Sequence, residues 1–303
     1  MAKEKAVKSG FRGVFFSCLH YSETPPVMRK DEYGAQVLAK LEWVLAFARD
    51  KDAYVVCCGD LFHAKSGVTY REMVNMLSTL KSYGRPLYAI FGNHDIQGHH
   101  PDCSTRPIGV LIEAGMITLL DDDGVELDGI ELTGRNYCAD YETTSPYAVG
   151  AADGRRHIHV THGMLTNRKL PYDATFYKDL DISADLLING HNHGYWADAE
   201  AGVYNVGSLA RIPKEGNELN KVPKCLYVEM DAVRKMVKVI DVPFVEDVWH
   251  TEVRRDTLSA EEVQKFVTEI REMGVGGDTD ALNDLLRKEE PEVQAMVRKY
   301  LGD

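Results

Sequence analysis

Five short runs of this 303-residue chain carry side chains that grip metal ions. They are Ser17-Cys18-Leu19-His20, Gly59-Asp60-Leu61-Phe62-His63, Gly92-Asn93-His94-Asp95, Thr161-His162-Gly163 and Gly190-His191-Asn192-His193. Imidazoles, carboxylates and a side-chain amide oxygen together suit borderline divalent ions such as Mn, Fe or Zn, whereas Ca or Mg favour shells of oxygen alone. A lone histidine is more often a satisfied structural residue than a ligand, so no single run persuades. Ten of the eleven histidines, however, lie between positions 20 and 193, and six of them fall inside these runs, which are therefore read together as one centre.

Residues so far apart meet only if a scaffold brings them together. Apolar, β-branched segments alternate with helical ones, the pattern of a mixed α/β domain. Buried strands are expected at Val14–Phe16, Ala53–Cys58 and Pro86–Phe91, then near 117–120, 130–133, 157–161, 186–189, 203–206, 225–230 and 236–240. Val37, Leu38, Leu41, Val44, Leu45 and Ala48 share one helical face, Met73, Val74, Met76, Leu77 and Leu80 another, and a third helix spans roughly 105–115. Each metal-type run begins where a strand ends, and in α/β sheets ligands gather at the carboxyl ends of strands. Glycines 59, 92, 163 and 190 allow the sharp turns and close approaches required there.

Composition narrows the setting. The N-terminus has no apolar signal region and no apolar run is long enough to span a membrane, so a cytosolic protein without membrane association is expected. Six scattered cysteines read as reduced thiols, with Cys57-Cys58 in the core. The net charge is −12, much of it local: Pro243–Asp303 holds fifteen Asp/Glu against eight Lys/Arg. This acidity argues against a broad basic groove for nucleic acid. Past Pro243 the pattern becomes helical. Ser259 and Glu262 form a capping box before a stripe of Val263, Phe266, Val267, Ile270 and Met273, and a second stripe runs from Val293 to Leu301. The expected organisation is thus a domain over 11–242 and an acidic helical extension over 243–303, its helices packing on the domain or offering a partner a face.

The chain resembles the calcineurin-like metallophosphoesterases, whose motifs run Asp-x-His, Gly-Asp, Gly-Asn-His-Asp/Glu, a lone His and Gly-His-x-His. The resemblance covers about residues 11–242. Gly59-Asp60-Leu61-Phe62-His63 and Val206-Gly207-Ser208-Leu209-Ala210-Arg211 look most like the SbcD-type DNA repair exonucleases. It implies a metallophosphoesterase-type β-sandwich flanked by helices, with two divalent transition-metal ions. By motif position, Cys18, His20 and His193 would hold one ion, Asn93, His162 and His191 the other, and Asp60 would bridge them. His94 would face the substrate and protonate the leaving oxygen, with Asp95 fixing its tautomer and His63 as a second substrate-facing histidine. The activated hydroxide would need no protein base. Arg211 and Lys214 are either phosphate contacts or solvated loop cations. His159 should point away from the site, and His99 and His100 read as a solvated loop. DNA is the implied substrate, with an ATPase partner subunit or a homodimer through the C-terminal helices.

One letter departs from the pattern: Cys18 stands where the family places aspartate. A thiolate there would bias its ion towards Zn or Fe over Mn; the other outcomes are a weakened first site or lost catalysis. Two further functions stay open: a phosphatase or phosphodiesterase acting on a nucleotide or small molecule, favoured by the acidity, and a non-catalytic scaffold, disfavoured by the presence of His94 and Asp95.

Overall fold

The computed structural model describes residues 10–26, 28–63, 67–96, 106–138, 141, 146–147, 155–170, 174–212 and 220–250. In chain order the elements are β1 (Phe11–Phe16), α1 (Tyr33–Asp50), β2 (Tyr54–Cys57), α2 (Tyr70–Tyr83), β3 (Leu87–Ala89), α3 (Pro107–Glu113) and β4 (Ile117–Leu119). There follow β5 (Val125–Leu127), β6 (Ile130–Gly134), β7 (Arg156–Thr161), β8 (Leu165–Thr166), β9 (Thr175–Phe176), β10 (Leu186–Asn189), β11 (Trp196–Asp198), β12 (Val203–Asn205), β13 (Lys224–Met230) and β14 (Lys235–Asp241).

Two six-stranded sheets carry the fold, ordered β14-β13-β1-β2-β3-β4 and β11-β12-β10-β7-β6-β5; β8 and β9 form a small third sheet. In the first, β1 to β4 run parallel and β13 and β14 close one side antiparallel. In the second, β6, β7, β10 and β12 run parallel, with antiparallel β5 and β11 at the edges. Strand side chains alternate between faces, so each sheet contributes one face to a shared core. Phe11, Phe15, Val56, Cys58 and Ile90 meet Ile130, Leu132, Ile158, Val160, Leu186 and Ile188 there. The other face of the first sheet, with Val14, Phe16, Val55 and Cys57, is covered by Val37, Leu41, Val44, Leu45, Met76 and Leu80 of the helices. The adjacent cysteines thus face opposite cores, as fully buried free thiols.

Helix α2 begins with a complete capping box, Thr69 and Glu72, and ends at Gly84 with φ +87°, a strong local start signal and a strong stop signal. Its apolar stripe is narrower than expected: Met76 and Leu80 are buried, but Val74 is 59% exposed on the outer face. The expected strands all form. The missed ones, β5, β8, β9 and β11, are two or three residues long, too short for periodicity to register.

The chain divides into compact units at Met1–His250 and Thr251–Asp303. Residues 243–250 are not helical; an isolated antiparallel bridge joins Trp249 to Arg29, and Val248 is buried. The capping box at 259 and both C-terminal stripes lie outside the described residues. Among the described residues no helix is long and apolar enough to cross a membrane.

Candidate metal centre

The five runs converge at the carboxyl ends of β1, β2, β3, β7 and β10, each beginning within three residues of its strand's end. The turns after β1 and β2 are zipped together by main-chain bonds from Cys18 N to Gly59 O (3.0 Å), His20 N to Asp60 O (3.1 Å) and Tyr21 N to Leu61 O (3.0 Å). Cys18, His20, Asp60 and His191 all have left-handed backbone, with φ of 50°, 45°, 58° and 67°. Non-glycine residues held there are strained, and such strain clusters at functional sites. Two glycines permit the close approach: a Cβ at Gly59 (φ +90°) would lie 2.3 Å from His162 Nδ1, and one at Gly92 would lie 2.2 Å from Asp60 Oδ1.

Asp60 is the hub. Its Oδ2 lies 3.2 Å from His162 Nε2 and 3.6 Å from His20 Nε2, while Oδ1 accepts the His94 backbone N–H at 2.8 Å. His20 Nε2 faces His193 Nε2 at 3.1 Å, and His191 Nδ1 faces Asn93 Oδ1 at 3.1 Å. The Cys18 thiol comes within 4.8 Å of donor atoms of His20 and His193, and likewise of Asp60 and His162. All seven side chains expected to ligate metal are therefore brought together.

These donors fit divalent cations. His162 Nδ1 donates to the Cys58 carbonyl at 2.6 Å, so in the neutral ring Nε2 carries a lone pair, aimed at a carboxylate oxygen. Two electron-rich atoms 3.2 Å apart in a dry interior need positive charge between them. Burial opposes a proton there, yet Asp60 outweighs burial and holds His162 above the usual imidazole range. Burial likewise works against ionised Asp60, but His162 and His20 keep it well below the usual carboxylate range. His20 has a buried Nδ1 without a hydrogen-bond partner, and its Nε2 is set against another Nε2. Two nitrogens bound at about 2.0–2.1 Å to one tetrahedral ion sit roughly 3.3 Å apart, close to that spacing. Burial, and then Asp60, push the Cys18 thiol up to about 12, so a cation is what would ionise it at neutral pH.

His94 stacks on His63 with ring centres 5.6 Å apart and 21° between planes, and meets His20 edge-on at 4.8 Å. The expected role of Asp95 requires correction. It does not orient the His94 ring: its carboxylate accepts the backbone N–H groups of Asp60 (2.8 Å), Leu61 (3.1 Å) and Gly92 (2.9 Å), tying the second run to the third. Its side chain is turned back under its own loop, and the His94 tautomer is set instead by Nδ1 donating to the His63 carbonyl at 2.7 Å. Arg211 is also corrected. It is 2% exposed and donates to the carbonyls of Val245 (2.8 Å) and Glu246 (3.2 Å), so it cannot reach a substrate phosphate. Lys214, His99 and His100 lie outside the described residues. His159 points away from the centre, bonding Thr133 Oγ1 (2.7 Å) and the Pro146 carbonyl (2.8 Å).

Three supporting residues escaped the sequence reading. Asn189, fully buried, accepts from Thr161 Oγ1 and Gly163 N and donates to Asn205 Oδ1, stitching β7, β10 and β12 beneath His162 and His191. Asn205 in turn holds the carbonyls of Asn192 and Gly194, fixing the turn that carries His193. The signal was present, since both β10 and β12 are apolar runs ending in asparagine. Tyr141 accepts the His162 N–H at 2.7 Å, with nothing in its sequence context to announce it.

Residues 11–205 match the family described as calcineurin-like phosphoesterase. Among solved structures, the chain is similar in fold to a dimetal phosphatase from Danio rerio, with 11% identity and a TM-score of 0.50 over 78% of this chain and 100% of that one. A 5'-nucleotidase precursor from Thermus thermophilus is 12% identical over 77% of this chain and 54% of that one, with a TM-score of 0.40. A predicted phosphoesterase from Streptococcus pneumoniae is 11% identical over 79% and 95%, with a TM-score of 0.35; neither of these two bears on the argument. No curated protein matches the chain. The chain belongs to the calcineurin-like phosphoesterase family and is a hydrolase acting on phosphoester bonds.

Proposed function

We propose that this phosphoesterase is a divalent-metal-dependent phosphodiester hydrolase whose substrate is DNA. The observation that carries the bond-breaking reading is the stacked His63–His94 pair set against the Asp60 cluster, with His94 held by Asp60 Oδ1 at its amide and by the His63 carbonyl at Nδ1. Cys18, His20 and His193 would hold one ion and Asn93, His162 and His191 the other, with Asp60 shared. When bound, such ions supply charge stabilisation for the phosphoryl group and lower the pKa of water.

Hydrolysis joins a water oxygen to phosphorus and breaks the bond to the leaving oxygen, which then needs a proton. Because His94 Nδ1–H is already committed to the His63 carbonyl, that proton comes from Nε2 of the imidazolium form. His63, stacked alongside, presents a second imidazole to the same phosphoryl oxygens. Asp95 acts one step back, by fixing the loops that carry Asp60 and His94.

The choice of DNA rests on the likeness of Gly59–His63, Gly92–Asp95 and Val206–Arg211 to SbcD-type nucleases. The inward turn of Arg211 favours a second reading, a nucleotide or small phosphodiester substrate needing few phosphate contacts. An ATPase subunit or a second copy engaging the helices read from residues 258–301, and a cytosolic setting, complete the proposal on sequence grounds. The test is hydrolysis of labelled single- and double-stranded DNA beside bis-p-nitrophenyl phosphate, with Mn and Zn compared. DNA cleavage that falls steeply with salt supports the first reading. Hydrolysis of the small diester alone supports the second, and no hydrolysis with either metal removes both.

A further inference from the structure

Outside the centre, five side chains stack in alternation: Tyr33, Arg29, Trp249, Arg211 and Phe244. The Arg29 guanidinium carbon lies 5.2 Å from the Tyr33 ring centre and 5.1 Å from that of Trp249; that of Arg211 lies 5.2 Å from Trp249 and 4.7 Å from Phe244. Both guanidiniums are buried, and cation–π contacts strengthen when water is excluded. Asp31 neutralises Arg29 through a bidentate pair at 2.7 and 2.6 Å. Bonds from Lys30 N to Val248 O and from His250 N to Met28 O, each 3.0 Å, hold the 248–250 segment against 28–30.

The stack is tied to the turn bearing Cys18 and His20. The Tyr33 hydroxyl donates to the His20 carbonyl at 2.9 Å. At the other end, Arg29 Nη1 donates to the Arg211 carbonyl at 2.9 Å, and the residues before Arg211 grip the turn: Leu209 N to Ser17 O (2.9 Å), Ala210 N to Cys18 O (3.1 Å) and Ser208 Oγ to Cys18 O (3.1 Å). The buried Lys40 Nζ, donating to the Leu209 carbonyl at 2.9 Å, braces the same loop. The turn itself is strained, with left-handed backbone at both residues, and such backbone persists only where its surroundings over-determine it.

We infer that Trp249, clamped between Arg29 and Arg211, is a positioning residue that holds the Cys18–His20 turn in the geometry needed to bind its metal ion. It acts through main-chain bonds and touches no reacting atom. The inference rests on the metal reading of Cys18 and His20 proposed above. The 303-residue chain is titrated with Co(II), following thiolate-to-cobalt absorption for the Cys18 subsite and total bound metal by dialysis, with the thermal midpoint recorded alongside. Trp249→Leu, which keeps apolar bulk and removes the aromatic face, is expected to weaken the thiolate subsite about tenfold, the scale of lost supporting contacts around metal ligands. The other subsite should be unchanged, and Trp249→Phe should restore most of the loss. An unchanged thiolate subsite, or equal weakening of both subsites tracking the thermal midpoint, overturns the inference. Should Trp249→Leu fail to fold, Arg29→Lys, which keeps charge but loses the planar face, carries the same expectations. Absence of the thiolate band in the wild-type chain, or its persistence in Cys18→Ala, refutes the underlying metal reading; a band unaffected by Trp249→Leu refutes only the role of Trp249.

Discussion

Cys18, His20, Asp60 and His162 form one flank of the centre and are at most 2% exposed, whereas Asn93, His191 and His193 on the other flank are half-buried. Both flanks stand at strand ends, but they are held differently. Main-chain bonds between the turns after β1 and β2 fix Cys18, His20 and Asp60, while Asn189 and Asn205 brace from below the turns that carry His162, His191 and His193. Cys18, His20, Asp60 and, at the rim, His191 stand on strained main chain and cannot relax when one is changed. Asn93 and His193, half-buried and without such backbone, can. Damage on the buried flank should therefore reach both metal binding and folding, and damage on the rim binding alone.

The largest effect should come from Asp60, on the buried flank, which both ions would share. Asp60→Asn is expected to lose both ions and lower kcat/KM about a thousandfold; one ion retained with a mild rate loss would break the idea of a shared carboxylate. Next, His94→Ala should slow hydrolysis about a hundredfold with metal content unchanged. A normal rate in that variant would refute its role as acid. On the rim, Asn93→Ala should weaken one ion about tenfold and leave the folding midpoint of the metal-free chain in place. Cys18→Asp should raise Mn-supported hydrolysis by several fold at the cost of Zn preference; equal metal content and rate in both forms would sink the ligand assignment.

The smallest effect is a pH dependence that arises within the buried flank of the metal-free chain. Burial holds His20 down at about 3, against an ordinary value of 6.5. The unfolded chain then takes up the proton first, so the stability contributed by neutral His20 is complete above about pH 6.5 and lost as pH falls towards 3. His159, held at about 4 by burial, acts in the same direction from outside the centre, on the order of 3 kcal/mol at full effect. His162 is shifted the other way, and its contribution is lost as pH rises through its raised value. Thermal midpoints from about pH 7 down to about 4 should therefore fall, and less so in His20→Asn. An equal fall in that variant would assign the acid sensitivity to other groups.

The sequence carried the strand ends and the five runs because both follow local rules: apolar runs mark strands, and metal-type residues directly follow them; the choice of seven donors within the runs came from the family resemblance. What it hid acts across the chain. Asp95 looked like a partner for its neighbour His94, but its carboxylate serves three amides, two of them more than thirty positions earlier. Arg211, a loop cation by sequence, is drawn inward by Trp249 and Phe244, which lie over thirty positions later. Val74 matched the helical stripe and still points outward, because periodicity places a residue on a face without saying how wide that face is.

The left-handed backbone at positions 18, 20, 60 and 191 also limits which amino acids evolution can try there. Asp, Asn and His tolerate that conformation far better than β-branched residues, and they are also the side chains a divalent ion accepts. Conformation and coordination thus draw on the same small alphabet, so a mutation that spoils one tends to spoil the other. Cys18 is the exception: as a ligand it meets the second demand with little help from the first. Aspartate at that position would relieve the backbone but set a second buried carboxylate beside Asp60, so its gain should show only with an ion bound.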